Sequence, residues 1–282
     1  MFYPTLFRRW HGAGAGLEQA MKNVQETTAL GAYDPAPDEL RDRVILITGA
    51  GDGIGKAVSL ACAGHGATVI LLGRTVKKLE AVYDAIIEQG APQPAIYPLD
   101  LQGATPEHYE QLADNVANEF HRLDGLLHNA ARLGPLTPMD HFEPEEWTRV
   151  FQVNVHAPFV LTRACLPLLK GSKDARVVFT TAEQGRSGRA FWGAYAASKA
   201  AAKAMMEVLA EEHDSTPNLR INSVDPGPTR TRLRSIAYPA ENSDKLKRPE
   251  DIADRYVYLL GPGSIGVNGV RFVIGDAARN LP

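Results

Sequence analysis

The sequence predicts an α/β fold, a doubly wound parallel sheet of about seven strands with helices on both faces. Three observations predict it. From Val44 onward, strand and helix patterns alternate without a break. The strand patterns are short, nearly continuous runs of branched apolar residues, as strands covered on both faces require. Strict alternation also demands right-handed crossovers, which make neighbouring strands parallel. A chain of 282 residues suits one such sheet, since open α/β domains often run to roughly 250 residues.

Residues 1–41 stand apart as an extension expected to be flexible, ahead of a single domain over 42–282. Arg8, Arg9 and Lys22 come with few acids and a Gly12-Ala-Gly-Ala-Gly16 run. That composition suits a basic targeting segment, a flexible arm, or upstream sequence ahead of an internal start at Met21. The arm is the simplest of these, and residues 1–32 are expected to touch the core little. Strands then read at 44–48, 67–73, 94–99, 123–129, 175–181, 219–225 and 269–275. Helical patterns fall at 54–65, 76–89, 105–121, 143–170, 193–213 and 249–260. Pro158 is expected to kink the fourth of these and to free backbone carbonyls there.

Composition excludes several classes. A formal charge of −3 makes no electrostatic case for nucleic acid. The most apolar window, Ala57 to Gly73, is broken by His65 and three glycines, so no membrane span is expected. Cys62 and Cys165 are far apart, each in a helical pattern, and read as buried thiols of a reducing, cytoplasmic compartment. No metal-ligand spacing is present, so no metal is expected.

The organising stretch is Val44-Ile-Leu-Ile-Thr-Gly-Ala-Gly-Asp-Gly-Ile-Gly55, a buried strand, a glycine turn and the start of a helix. Glycines there serve a tight turn, backbone approach to a diphosphate and close helix–strand packing. The helix N-terminus adds free N–H groups and a positive dipole end. In that context Thr48, Gly49, Gly51, Gly53, Ile54 and Gly55 read as a dinucleotide-binding turn. At the end of the second strand, Gly73 stands near where an acid often binds the ribose 2′-hydroxyl. Arg74 beside it suits a 2′-phosphate, with Lys77 and Lys78 following, so NADP is preferred to NAD. Asp52 in the turn tempers that preference. Asp100 and Leu101 close the third strand, where Asp100 either accepts from the adenine amino group or is an ordinary loop residue. Asn129 and Ala130 open the switch-point crevice, and His128 reads as a satisfied core histidine.

Tyr195 and Lys199 lie at i and i+4 on one helix face. The ammonium there can lower the phenol pKa toward a usable acid or base. Asn154, forty-one residues earlier, gains weight from that pair. Ser198 reads as a local backbone or cofactor contact.

With these residues the chain resembles the short-chain dehydrogenase/reductase family from about Asp42 to Gly275, with the Rossmann-type fold that family implies. It most resembles the bacterial cytosolic oxidoreductases of unassigned substrate within it. The turn Thr48–Gly55, Asn129-Ala130, the set Asn154, Tyr195 and Lys199, and the loop Pro226-Gly-Pro-Thr-Arg-Thr231 carry the resemblance. It implies that Tyr195 exchanges the hydroxyl proton, Lys199 binds the ribose and tunes Tyr195, and Asn154 positions a relay water. It also implies that Pro226, Gly227, Thr229 and Thr231 hold the nicotinamide end. A dimer or tetramer is implied, packed through the alanine-rich helix of 195–211 and the helix through Val155.

The family's catalytic serine falls thirteen residues before the tyrosine, and here that position is Ala182. Losing one such donor costs on the order of 10²–10³ in rate. Thr181 and Glu183 flank it, and strand alternation points both away from the site. The substrate pocket is expected from residues 132–139, 186–192 and 231–247, where Arg186 and Arg189 would suit an anion. Three readings follow: an NADP-dependent oxidoreductase interconverting a carbonyl and an alcohol, attenuated to the extent that Ala182 leaves the donor unreplaced; a nucleotide-binding sensor on the same fold; and a structural oligomer subunit, which little favours.

Overall fold

The structure, a computed structural model, describes residues 27–275. Its strands are β1 (Thr27–Leu30), β2 (Val44–Thr48), β3 (Thr68–Gly73), β4 (Ala95–Pro98), β5 (Gly125–His128), β6 (Ala175–Thr180), β7 (Leu219–Asp225) and β8 (Arg271–Ile274). They form one sheet in the order β1-β8-β7-β6-β5-β2-β3-β4, and all of these neighbours pair in parallel. After β2 the chain builds outward through β3 and β4, then returns to lay β5 on the other side of β2. The order reverses there, and the crevice opens at the C-terminal ends of these two strands.

Helices cover both faces. On one, α1 (Gly53–Gly64), α2 (Val76–Glu88) and α8 (Ala253–Leu260) pack through Val58, Leu79, Val82, Tyr256 and Leu260 onto Ile45, Ile47, Val69 and Leu71. On the other, α3 (Pro106–Phe120), α5 (Ala157–Gly171) and α6 (Gly193–Glu212) bring Leu112, Val116, Leu161, Cys165 and Met206 against Leu46, Ile70, Val177 and Phe179. Consecutive residues of β2 thus enter opposite cores, which is why its pattern shows no polar alternation. Cys62 and Cys165 are free and buried, their thiols pushed up to about 12 by desolvation.

The pattern over 143–170 is three pieces: α4 (Pro144–Phe151), a π turn (Gln152–His156) and α5. Pro158 has no N–H, so the Asn154 carbonyl has no partner four residues on. The Ala157 N–H bonds instead to the Gln152 carbonyl, the i to i+5 step of a π turn. A short helix α7 (Arg232–Ala237), absent from the sequence reading, follows the loop after β7.

The expectation that residues up to 32 touch the core little is corrected over 27–32. β1 adds an edge strand, with Thr27 opposite Arg271 and Leu30 opposite Ile274. Leu30 packs on the core, and Arg255 Nε donates to the Gly31 carbonyl at 3.1 Å. Tyr33 continues the docking: its N–H donates to Asp254, its hydroxyl to Glu39, and its ring meets Tyr258 at 5.0 Å. A four-residue strand with no period of its own gives no local signal, because its partner lies more than 240 residues away. Residues 1–26, which hold the targeting and arm readings, lie outside the described residues. Among the described residues no helix is long and apolar enough to cross a membrane.

Candidate active site

The glycine turn is shaped by close approach. Gly49 has φ +70°, and a Cβ there would stand 3.0 Å from the Ala130 Cα. A Cβ on Gly55 would meet the Gly49 carbonyl at 2.2 Å and the Asn129 amide at 2.6 Å. Thr48 fastens the turn to the end of β5. Its hydroxyl donates to the Leu127 carbonyl (3.1 Å) and accepts from the N–H groups of Asn129 and Ala130, while the Asn129 amide donates to the Thr48 carbonyl. Thr48 and Gly55 therefore stand behind the cleft wall, whereas Gly49, Gly51, Gly53 and Ile54 line it.

A cleft of about 700 Å³ runs across the crevice, within the usual range for ligand sites. At one end lie Gly73, Arg74, Thr75 and Lys78, with Asp100 and Leu101 along the same wall. Lys78 pairs with Asp52, whose carboxyl also caps α1 by accepting from the Gly53 N–H. Lys78, and to a lesser degree Gly53 and Arg232, hold that carboxyl below the ordinary carboxylate range. The acid that tempered the reading for phosphate is thus largely offset by a neighbouring cation. Asp100 accepts from the Gln102 N–H, an ordinary loop contact.

Midway, Tyr195 and Lys199 enter from α6 as their spacing requires. The Lys199 ammonium donates to the Thr180 carbonyl at 2.8 Å and stands 5.7 Å from the Tyr195 ring centre. Burial pulls it down to about 8, with Asp225 opposing. The Tyr195 phenol is pushed up, first by burial and then by Asp225. In this arrangement the expected lowering of the phenol is not seen, because burial and Asp225 both act to raise it.

Asn154 is buried in the π turn and does not line the cleft. Its side-chain oxygen accepts from the Arg132 N–H (2.8 Å), and its amide donates to the Arg132 carbonyl and to Ser198 Oγ (both 2.9 Å). Ser198 Oγ donates on to the Tyr195 carbonyl at 2.8 Å. Asn154 therefore ties the loop after β5 to the helix that carries Tyr195. His128 is only half satisfied: Nε2 meets Thr162 Oγ1 at 2.8 Å while Nδ1 is buried without a partner. Desolvation pulls it down to about 3, so it stays neutral near pH 7.

After β7, Pro226, Gly227, Thr229 and Thr231 line the cleft. Gly227 has φ +65°, and Thr231 caps α7 by accepting from the Arg234 N–H. Asp225, unremarked in the sequence although an acid directly before Pro-Gly is itself a signal, anchors this loop. It accepts from the Gly227 N–H (3.0 Å) and pairs with Arg271 of β8 (2.8 Å), both side chains 7% exposed. Lys247 donates to the Ile274 carbonyl at 2.8 Å, joining the same loop region to the end of β8.

Ala182 follows β6 and packs into an apolar cluster of Leu133, Trp192 and Tyr195. Thr181 and Glu183 both border the cleft, as do Thr180, Ala182 and Gln184, and a 3₁₀ turn at Glu183–Gly185 ends the strand. Thr181 Oγ1 is nevertheless sealed from solvent and unpartnered, and the Glu183 carboxylate pairs with Arg189 at 3.0 Å. Of the expected pocket segments, Arg132–Pro135, Trp192 and Thr231–Tyr238 contribute, while Arg186 does not. Among the described residues no cluster of His, Cys, Asp or Glu is arranged to hold a metal.

Comparison with known proteins agrees with this geometry. The model of the short chain dehydrogenase family matches residues 43–242. The uncharacterized oxidoreductase YciK of Escherichia coli is 49% identical over 240 residues, covering 85% of this chain and 94% of YciK. A short chain dehydrogenase from Shigella flexneri complexed with NADP superposes with a TM-score of 0.82 at 47% identity, covering 84% of this chain and 99% of its own. One from E. coli CFT073 complexed with NADPH gives 0.82 at 48% identity, covering 85% and 99%. The family model spans most of the chain and these relatives share nearly half of the aligned residues, so this chain belongs to the short chain dehydrogenase family of oxidoreductases.

Proposed function

We propose that the protein interconverts a carbonyl and an alcohol with NADP(H). The observation that carries the reading is the single cleft that joins the glycine turn and Arg74 at one end to Tyr195 and Lys199 at its middle. The residues fit the dinucleotide. Gly51 and Gly53 leave room at the N-terminus of α1 for a diphosphate. Arg74 suits a 2′-phosphate, with Lys78, shared with Asp52, beside it. Neighbours of 47–48% identity complexed with NADP and NADPH support the same choice.

When bound, the nicotinamide supplies or accepts the hydride. The chain's own residues do the rest. Tyr195 gives its phenol proton to the substrate oxygen in reduction and takes it back in oxidation. Lys199, freed from the Thr180 carbonyl, would hold the ribose hydroxyls and place its charge beside the phenol, lowering it. The Asn154 carbonyl, released by Pro158, would hold the water through which Lys199 is reprotonated. Pro226, Gly227, Thr229 and Thr231 would hold the nicotinamide end, and Asp100 with Leu101 the adenine. A second reading, a nucleotide-binding sensor of little activity, rests on Ala182 alone.

One experiment tests both. NADPH oxidation with a ketone or aldehyde should fall at least about 100-fold in Tyr195→Phe, with NADPH binding kept. Arg74→Ala should weaken NADPH far more than NADH, by about 1.5–3 kcal/mol for a charge-assisted contact. Activity that survives Tyr195→Phe unchanged defeats the catalytic assignment. Equal loss of both nucleotides in Arg74→Ala defeats the preference for NADP. Absence of turnover in the parent, with binding intact, favours the sensor.

A further inference from the structure

The substrate end of the cleft is apolar and aromatic. Leu133, Trp192, Leu233, Ala237 and Tyr238 wall it around the Tyr195 phenol. The Trp192 ring stands 5.7 Å from that of Tyr195 and 5.6 Å from that of Tyr238, tilted to each. Such rings favour a flat guest in stacked or edge contact.

Three of the arginines near it are already engaged. Arg234 lies 3.7 Å over the Tyr238 ring and makes a two-pronged bond to Glu241, at 2.6 and 2.7 Å. Arg132 bonds Glu146 at 2.6 Å, and Arg189 at the rim pairs with Glu183. Arg232 acts on Asp52 at the glycine turn, toward the other end. A carboxylate guest would have to break one of these pairs, and would also meet the buried carboxylate of Asp225 in the cleft wall. The expectation of an anionic substrate from Arg186 and Arg189 is thereby withdrawn.

Where the family's serine would add a donor, Ala182 adds a methyl group to this wall. No neighbour replaces the donor: Thr181 Oγ1 is sealed off, and Glu183 is an acceptor held by Arg189. With the serine hydroxyl gone and neither flanking residue in its place, polarising the carbonyl falls to the Tyr195 hydroxyl and to the substrate itself. Resting on the function proposed above, we infer that the preferred substrates are uncharged, ring-bearing carbonyl compounds whose carbonyl is already electron-poor, aryl aldehydes being the simplest class. The reduction balances with groups already named. The carbonyl carbon accepts hydride from the reduced nicotinamide, and the C–O π pair takes the Tyr195 proton to give the alcohol. The dinucleotide leaves oxidised, and solvent reprotonates the tyrosine through Lys199.

The test uses the full chain with NADPH and a series of para-substituted benzaldehydes. In the parent, kcat/KM should rise at least about 30-fold from the methoxy to the nitro compound. In Ala182→Ser that spread should narrow about 10-fold while the methoxy compound gains most, since one oxyanion donor is worth on the order of 10²–10³ in rate. A second readout needs no turnover: with NADP present, calorimetry should find benzamide bound at least about 10-fold more tightly than benzoate, and Tyr238→Ala should weaken benzamide. A flat series, a preference for 4-formylbenzoate, or benzoate binding as tightly as benzamide overturns this proposal alone. No reduction of any aldehyde, with NADPH binding intact, overturns the catalytic reading and this proposal together.

Discussion

Lys199 shows how burial and function pull on one residue. Its folded value of about 8 lies below the roughly 10.4 of a free lysine. Between those values the unfolded chain binds more protons at this site, so its effect on stability is unfavourable below about pH 8 and is relieved as pH rises toward 10.4. Its charge behaves oppositely and is lost as pH passes 8. NADPH affinity, followed by fluorescence titration, should therefore weaken above pH 8 in the parent and lose that step in Lys199→Met. A parent affinity that stays flat from pH 7 to 9.5 contradicts this. At this scale the sequence told most about residue types whose spacing is their meaning, such as Tyr195 with Lys199. It told least about residues defined by distant partners. Asn154 reads from sequence as a cleft residue, yet its side chain clamps Arg132 to Ser198. Asp225 had no visible role until Arg271, 46 positions on, stood beside it.

At the scale of elements, β1 is the piece whose absence from the sequence reading has a measurable price. A chain beginning at residue 33 loses the Leu30 contact with the core and the Gly31 bond to Arg255. One partly buried aliphatic side chain and one hydrogen bond amount to about 1.5 kcal/mol, or roughly 3–6 °C at this size. Thermal unfolding should place that chain several degrees below one beginning at residue 27. Equal midpoints would return β1 to the status of a loose arm. The other strands were legible because each is an apolar run between turn residues, and a buried parallel strand needs nothing else. The split of the long helix was half legible: Pro158 announces a break, but only the backbone shows that the break is a π turn.

For the molecule as a whole, the face that carries α5 and α6 leaves Phe159 51% exposed and Val208 54% exposed. Phe159 sits one turn from the π segment, and α6 is rich in alanine, which lets helices approach closely. Two-fold pairing of that face would cover both side chains at once. Light scattering at micromolar concentration should find a dimer or tetramer, and Phe159→Glu should shift it toward monomer. A parent that is strictly monomeric rules this out. The overall architecture was the most legible level, since strict alternation admits few topologies. The aromatic wall of the cleft was the least, because Leu133 lies in the loop after β5, Trp192 at the start of α6 and Tyr238 at the end of α7, which only the fold brings together.

The bonds of Asp225 have a consequence for how the molecule breathes. Through Arg271 and the Lys247–Ile274 contact, the loop after β7 is fastened to β8, and β8 in turn holds β1. Local opening of the sheet edge and release of the loop then become one event, with one free energy. A ligand that holds the loop shut must also lower the frequency with which the edge opens. Amide hydrogen exchange at Phe272 and Val273 should accordingly slow when NADPH is added, although neither residue lines the cleft. In Arg271→Met the nucleotide should still protect the loop while the strand exchanges at its own rate. Protection confined to the loop in the parent would mean that loop and sheet edge open independently.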